Sequence, residues 1–198
     1  MTKTPKAEQT RRHILDTGQT LILSKGFSAL GLSELLKVCE VPKGSFYHYF
    51  PSKEQFGTEL LTDYITFYLD RFDRLTAGED DARTRLIRYF SAWIEASGEE
   101  EGMARRCLLV KLAAEVSDLS EDMRLVLKGG MQAVLERIGA LLDEGRNDGS
   151  LPSDLDVEAT ARTLYQVWLG AALMAKVVAG MDPLRHALSA TRSLLPAR

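Results

Sequence analysis

Ser33-Glu-Leu-Leu-Lys-Val-Cys-Glu-Val-Pro-Lys-Gly-Ser-Phe-Tyr-His-Tyr-Phe-Pro-Ser-Lys53 holds the pattern on which the fold turns. Helix-compatible segments over about 32–39 and 43–49 flank Val41-Pro42, and Pro51 stops the second, because proline lacks an N–H and restrains the residue before it. Two short helices joined by a few residues have the dimensions of a helix-turn-helix. The second helix of such a pair enters the DNA major groove, which is about 12 Å wide. Its composition suits that role: Lys43, Ser45, Tyr47, His48 and Tyr49 offer donors, and Gly44 removes a side chain where DNA approaches closely. Phe46 and Phe50, four apart, fall on the opposite face and are expected to pack against Leu35, Leu36 and the preceding helix. Lys53 stands in the first turn of the next helix, where open backbone N–H groups and a positive dipole end favour phosphate. The alternative is a packed helical hairpin whose Tyr and His side chains only decorate a surface.

Outward from this segment the periodicity stays helical. Apolar residues recur at three and four, as in Leu86, Ile87, Phe90, Trp93 and Ile94, and no sustained alternating run suggests a strand. The spacing predicts helices over about 7–25, 32–39, 43–49, 53–76, 81–97, 103–116, 120–146, 156–180 and 183–195. Gly26 reads as a left-handed cap of the first, and Ser52 with Gln55 as a capping box for the fourth. Asp182-Pro183 opens the last, since proline in a first turn gives up no bonded donor. The fold class is all-α, about nine helices, with a DNA-binding head at 1–52 and a regulatory and dimerising body at 53–198. The acidic run Glu99-Glu100-Glu101 reads as a solvated loop.

Composition narrows the function. The 198 residues carry 25 Lys+Arg against 28 Asp+Glu and only two cysteines, 39 and 107, which excludes a disulfide scaffold and fits a reducing compartment. Residues 1–55 carry eight basic against five acidic side chains, while the rest carry 17 against 23. A basic end on an acidic body fits one end meeting a polyanion. No basic-then-apolar leader opens the chain, and Thr163 to Ala175 is shorter than the ~20 residues of a membrane span. A soluble, cytoplasmic protein without membrane contact is expected. His13, His48 and His186 show no metal-ligand spacing with either cysteine, and neither a phosphate loop nor a nucleophile elbow is present. No metal, no cofactor and no catalytic residue is expected. A thiol-dependent enzyme using Cys107 and a ligand carrier with a degenerate head are the competing classes. Turnover beyond one equivalent would mark the first, and absent or salt-insensitive duplex binding the second.

Phe27 after Gly26, followed by Val41-Pro-Lys-Gly-Ser-Phe-Tyr-His-Tyr-Phe-Pro-Ser-Lys-Glu-Gln-Phe56, resembles the N-terminal signature of TetR-family transcriptional repressors. The resemblance is dense over about residues 10–60. It implies a homodimer in which three helices form the head and the others a ligand-binding, dimerising body. It also implies that Lys43, Gly44 and Ser45 meet bases and adjacent phosphates, that Tyr47 and Tyr49 meet the backbone, and that Lys53 contacts a phosphate. Here Leu30-Gly31-Leu32 precedes Ser33, a departure that weakens the expected cap and phosphate contact at Ser33. His48 stands one position earlier than the family's usual histidine, which gives it a base or phosphate of its own to read.

Cys107-Leu-Leu-Val-Lys-Leu-Ala-Ala-Glu-Val-Ser-Asp-Leu-Ser-Glu-Asp-Met-Arg124, with Trp168-Leu-Gly-Ala-Ala-Leu-Met-Ala-Lys176, resembles the NemR-type branch, whose repressors respond to electrophiles and oxidants through a cysteine. Independently of that, Cys107 follows Arg105-Arg106 near a predicted helix start, and both features favour thiolate, the reactive form. The plain alternative is an apolar filler, as buried cysteine usually is; Cys39 beside Glu40 reads as one. Lys176 is the only charge between Arg162 and Asp182 and shares a helix face with Trp168 and Ala172. It is expected beside a cavity or interface, facing Cys107, or else snorkelling to solvent. Gly170, Ala171, Ala172, Ala175, Ala179 and Gly180 form a small-residue surface that permits close helix approach. A two-fold dimer joined there would read a pseudo-palindromic operator with half-sites ~34–36 Å apart. Modification of Cys107, or a small molecule bound in the body, would release it.

Overall fold

The structure, a computed structural model, describes residues 5–95 and 102–197. Among the described residues there are nine helices and no strand: α1 Pro5–Lys25, α2 Leu32–Cys39, α3 Lys43–Tyr49, α4 Lys53–Leu75, α5 Ala82–Ser91, α6 Leu108–Leu119, α7 Glu121–Asp148, α8 Val157–Val177 and α9 Asp182–Leu194. This is the all-α architecture the periodicity predicts. Among the described residues no helix is long and apolar enough to cross a membrane. By its packing the chain forms two units, one of residues 1–66 with 111–128, the other of 67–110 with 129–198. The division at 52/53 drawn from the motif follows chain order, whereas the packing groups most of α6 with α1–α3.

In the first unit the core is Ile14, Leu15 and Ile22 of α1, Leu35 of α2, Phe46 of α3 with Phe50 just after it, and Phe56, Leu60 and Leu61 of α4, all fully or almost fully buried. The rings of Phe46, Phe50 and Phe56 lie 5.2 to 5.6 Å apart, within the range in which aromatic pairs add to simple burial. Arg11 pairs with Glu59 and Arg12 with Asp63 between α1 and α4; being partly exposed, these pairs orient more than they stabilise. α1 ends where Gly26 turns to φ 90°, a left-handed value that glycine adopts without strain. Leaving α2, Glu40 takes φ 54°, and the Val41 N–H returns to the Leu36 carbonyl. Pro42, extended, then starts α3. Ser52 caps α4 by accepting from the Gln55 N–H at 2.9 Å.

In the second unit Phe72, Tyr89, Phe90, Trp93 and Trp168 are buried together. Phe90 stacks on Trp168 at 5.1 Å, with Trp93 5.7 Å from the same indole. Trp168 Nε1 donates to Thr191 Oγ1 at 2.8 Å, and Thr191 donates to the Ala187 carbonyl, so α8 is keyed to α9 by a satisfied buried hydroxyl.

Two helix ends differ most from expectation. The helix expected over 81–97 ends at Ser91, and the one expected from 103 begins at Leu108. The N–H groups of Met103 and Ala104 donate to the carbonyls of Ala92 and Trp93 at 3.2 and 3.3 Å, just past the end of α5. Those bonds hold 102–104 against the previous helix, and the next one starts only after the turn that follows. The acidic run at 99–101 lies outside the described residues.

Candidate functional site

Phe46 anchors α3 to the core, and that fixes what the helix shows outside. Lys43, Gly44, Tyr47 and His48, at spacings of one and four, are exposed together, while Ser45 and Tyr49 are half-buried at the flanks. The Lys43 ammonium lies 5.9 Å from the Tyr47 ring centroid, and the His48 and Tyr49 rings meet edge to face. A Cβ built on Gly44 would meet nothing within 4 Å, and its φ is not positive. Nothing within the protein requires glycine there. Ser33 is exposed on α2, whose N-cap position, Gly31, supplies no side-chain cap, as the Leu-Gly-Leu departure implies.

Lys53 is folded inward. Its ammonium donates to the Ser28 carbonyl at 3.5 Å and lies 4.7 Å from the Phe27 ring centroid. Burial lowers its pKa, and the charge of Glu115 pulls it partly back. Glu115, 88 residues from Phe27 in the chain, accepts the Phe27 and Ser28 N–H groups and is the site residue that sequence reasoning missed. No local pattern announces a contact across that separation.

The two cysteines differ in place. Cys39 is buried in the head; burial pushes its thiol pKa up, against a hydrogen bond from Thr17. It is expected to alkylate at least ~10-fold more slowly in the folded protein than in the unfolded one, as read by mass spectrometry after iodoacetamide at neutral pH. Cys107 stands immediately before α6 and is 3% exposed, with Arg105 and Arg106 exposed beside it. It lies within electrostatic reach of Tyr89 and Tyr165. Burial pushes both phenols well above their usual value, and Cys107 adds to each shift. The Tyr89 hydroxyl is 2.6 Å from that of Tyr68. Trp168 lies in the core of this unit, whereas Lys176 is exposed near the end of α8 among the exposed Leu173, Met174, Val177 and Val178. α8 and α9 also enclose an apolar groove of about 690 Å³ lined by Val167, Gly170, Met174, Val178, Pro183 and His186 among others.

Residues 14–60 match the model of the bacterial regulatory proteins of the TetR family, and residues 82–191 that of the tetracyclin repressor-like C-terminal domain. The chain belongs to the TetR family. It is 42% identical over 187 residues, 94% of each chain, to the HTH-type transcriptional repressor NemR of Escherichia coli K12. The crystal structure of the reduced form of E. coli NemR matches with a TM-score of 0.85 at 43% identity, covering 95% of this chain and 98% of that one. The regulatory protein TetR from Rhodobacter sphaeroides matches with a TM-score of 0.82 at 32% identity, covering 93% of this chain and 98% of that one. This TetR-family chain is thus a DNA-binding transcriptional regulator and not an enzyme, and α3 lies within the matched N-terminal region.

Proposed function

We propose that the protein is a homodimeric repressor, acting in the cytoplasm, that leaves a pseudo-palindromic operator when a reactive electrophile or oxidant modifies Cys107. Lys43, Tyr47, Tyr49, Lys53 and Ser33 supply phosphate contacts, which carry most of the salt-dependent affinity, and Ser45 and His48 with Lys43 read base edges. Gly44 lets the helix approach. The observation that carries the sensing half is the position of Cys107: a buried thiol one residue before α6, the helix that continues into the unit holding α3. The E. coli relative's crystal structure is of its reduced form, which fits a redox-responsive branch. Lys176, a cation on α8, is assigned to stabilising the modified cysteine, and Trp168 to the packed wall beside it. Operator binding before and after hypochlorite or a quinone, in wild type, Cys107→Ser and Lys176→Met, tests these roles.

A second reading, induction by a non-covalent apolar ligand, is favoured by the aromatic interior of the body. There Phe72, Tyr89, Phe90, Trp93 and Trp168 are buried together.

Dimerisation is assigned to the α8–α9 groove. Gly170 lines it, and a Cβ there would meet nothing within 4 Å, so its bareness suits a second backbone rather than this one. Met174 is 58% exposed in that groove. Met174→Glu should leave the subunit folded, yet place two carboxylates in the two-fold contact. Sedimentation is expected to show a monomer at micromolar concentration, with operator affinity at least ~100-fold lower; an intact dimer would move the interface elsewhere.

A further inference from the structure

The corner between α1 and α2 is gripped from two helices. From α6, Glu115 Oε2 accepts the Phe27 N–H at 3.1 Å and Oε1 the Ser28 N–H at 2.5 Å. One turn earlier on the same helix, Lys111 donates to the Ser24 carbonyl at 3.2 Å, at the end of α1. α6 therefore presents a cation where a helix leaves carbonyls open and an anion where the next turn leaves N–H groups open. The glycine that permits the corner also permits the grip: at Gly26 a Cβ would stand 2.9 Å from Glu115 Oε2. From α4, Lys53 donates to the carbonyl of the same Ser28 and lies over the ring of the same Phe27. Burial alone would push the Glu115 carboxyl up, but hydrogen bonds from Ser28 and Phe27 and the charge of Lys111 outweigh it and hold it below its ordinary 4.5. The carboxylate is thus charged wherever the protein works.

We propose that Glu115 is a positioning residue for Lys53: by fixing the Phe27–Ser28 corner it sets the seat from which Lys53 reaches a DNA phosphate. The inference rests on Lys53 being a phosphate contact. Two N–H···O bonds from one carboxylate define the position of that corner to within a few tenths of an ångström. A slide of α6 by ~1 Å along these bonds would carry the Phe27 bond beyond hydrogen-bonding range and stretch the Ser28 bond to its limit. Lys53 would then lose the ring and carbonyl that place it. Glu115 is in this way the handle by which α6, starting one residue after Cys107, acts on a named DNA contact.

The test is the salt dependence of operator binding by the full-length protein, because each phosphate contact contributes ~0.9 to the slope of log K against log[salt]. In a dimer, loss of Lys53 counts twice. Lys53→Met and Glu115→Ala are each expected to flatten the slope by about two, and the double variant no further than either single one. Glu115→Gln, which keeps one acceptor, is expected to fall between them and wild type. If Glu115→Ala fails to fold, Glu115→Gln carries the test. A wild-type slope in the Glu115 variants overturns the proposal, as does a double variant that loses the sum of both. No change in Lys53→Met overturns it too, by removing the phosphate contact. The slope of the wild-type protein judges DNA binding separately from all of these.

Discussion

Gly44→Leu is expected to leave the protein at least as stable as wild type while lowering operator affinity by at least ~30-fold. The two halves of that expectation have separate causes. Inside the protein, position 44 lies in α3 with a non-positive φ and no atom within 4 Å of a would-be Cβ. A leucine there strains nothing, and exchanging glycine for a good helix former in a helix favours folding by up to ~1 kcal/mol. Outside, the same side chain projects from the exposed face that also carries Lys43, Tyr47 and His48. Forcing extra atoms into a close-packed contact costs roughly 1–3 kcal/mol, incurred once by each head of a dimer. At about 1.4 kcal/mol per decade the combined loss runs from ~30-fold to ~10⁴-fold. Gly44→Ala should lie between. A thermal melt alongside an anisotropy titration on the gene's own upstream DNA reads both quantities. Unchanged affinity would mean that this face does not meet DNA, and a lowered melting temperature would mean that the glycine serves the fold.

Where chain chemistry sets hard limits, the sequence predicts the structure residue by residue. α2 and α3 have the expected bounds because Pro42 and Pro51 cannot be passed, and Gly26 ends α1 where its positive φ is required. The packing of Phe46 and Phe50 follows from their four-residue spacing on a helix whose other face is polar. The ends of α5 and α6 were not legible in this way. Their positions depend on hydrogen bonds from Met103 and Ala104 back to Ala92 and Trp93, and apolar periodicity is silent about which amide meets which carbonyl. Lys176 illustrates another limit. A lone charge in an apolar helix suggests a buried ion, but the apolar residues around it, Val177 at 78% and Met174 at 58%, are themselves exposed. Hydrophobic composition identifies a surface that avoids water in some state, and does not say whether its own chain or a second copy covers it. Glu115 lay beyond reach altogether, since an acid in the middle of a helix is unremarkable until Phe27 is brought to it.

Treated with a stoichiometric quinone or hypochlorite, the wild-type protein is expected to lose operator affinity by ~100-fold, while Cys107→Ser keeps it. The cause is steric. Cys107 is 3% exposed, and Leu108 and Leu112 of the helix it precedes are fully buried. An added oxygen or carbon skeleton would have to be accommodated among buried neighbours, and overfilling a close-packed interior costs roughly 1–3 kcal/mol per site. The packing cannot relax at Leu108 without moving the start of α6. The other end of α6 carries the Glu115 grip on the Phe27–Ser28 corner, so the displacement reaches the head. Coupling of 1–3 kcal/mol corresponds to a 5- to 150-fold change in affinity, the scale a repressor needs for release. Serine differs from cysteine by one atom and has no comparable nucleophile, so the variant should bind DNA like wild type and ignore the reagent. Because release depends on volume, adduct size gives a graded readout: sulfenic acid should weaken binding least, a small enone more, and a maleimide most. Equal release by Cys107→Ser would make Cys107 a packing residue and shift sensing to a non-covalent ligand. Release independent of adduct size would keep the cysteine as sensor and replace overpacking with charge as the physical cause.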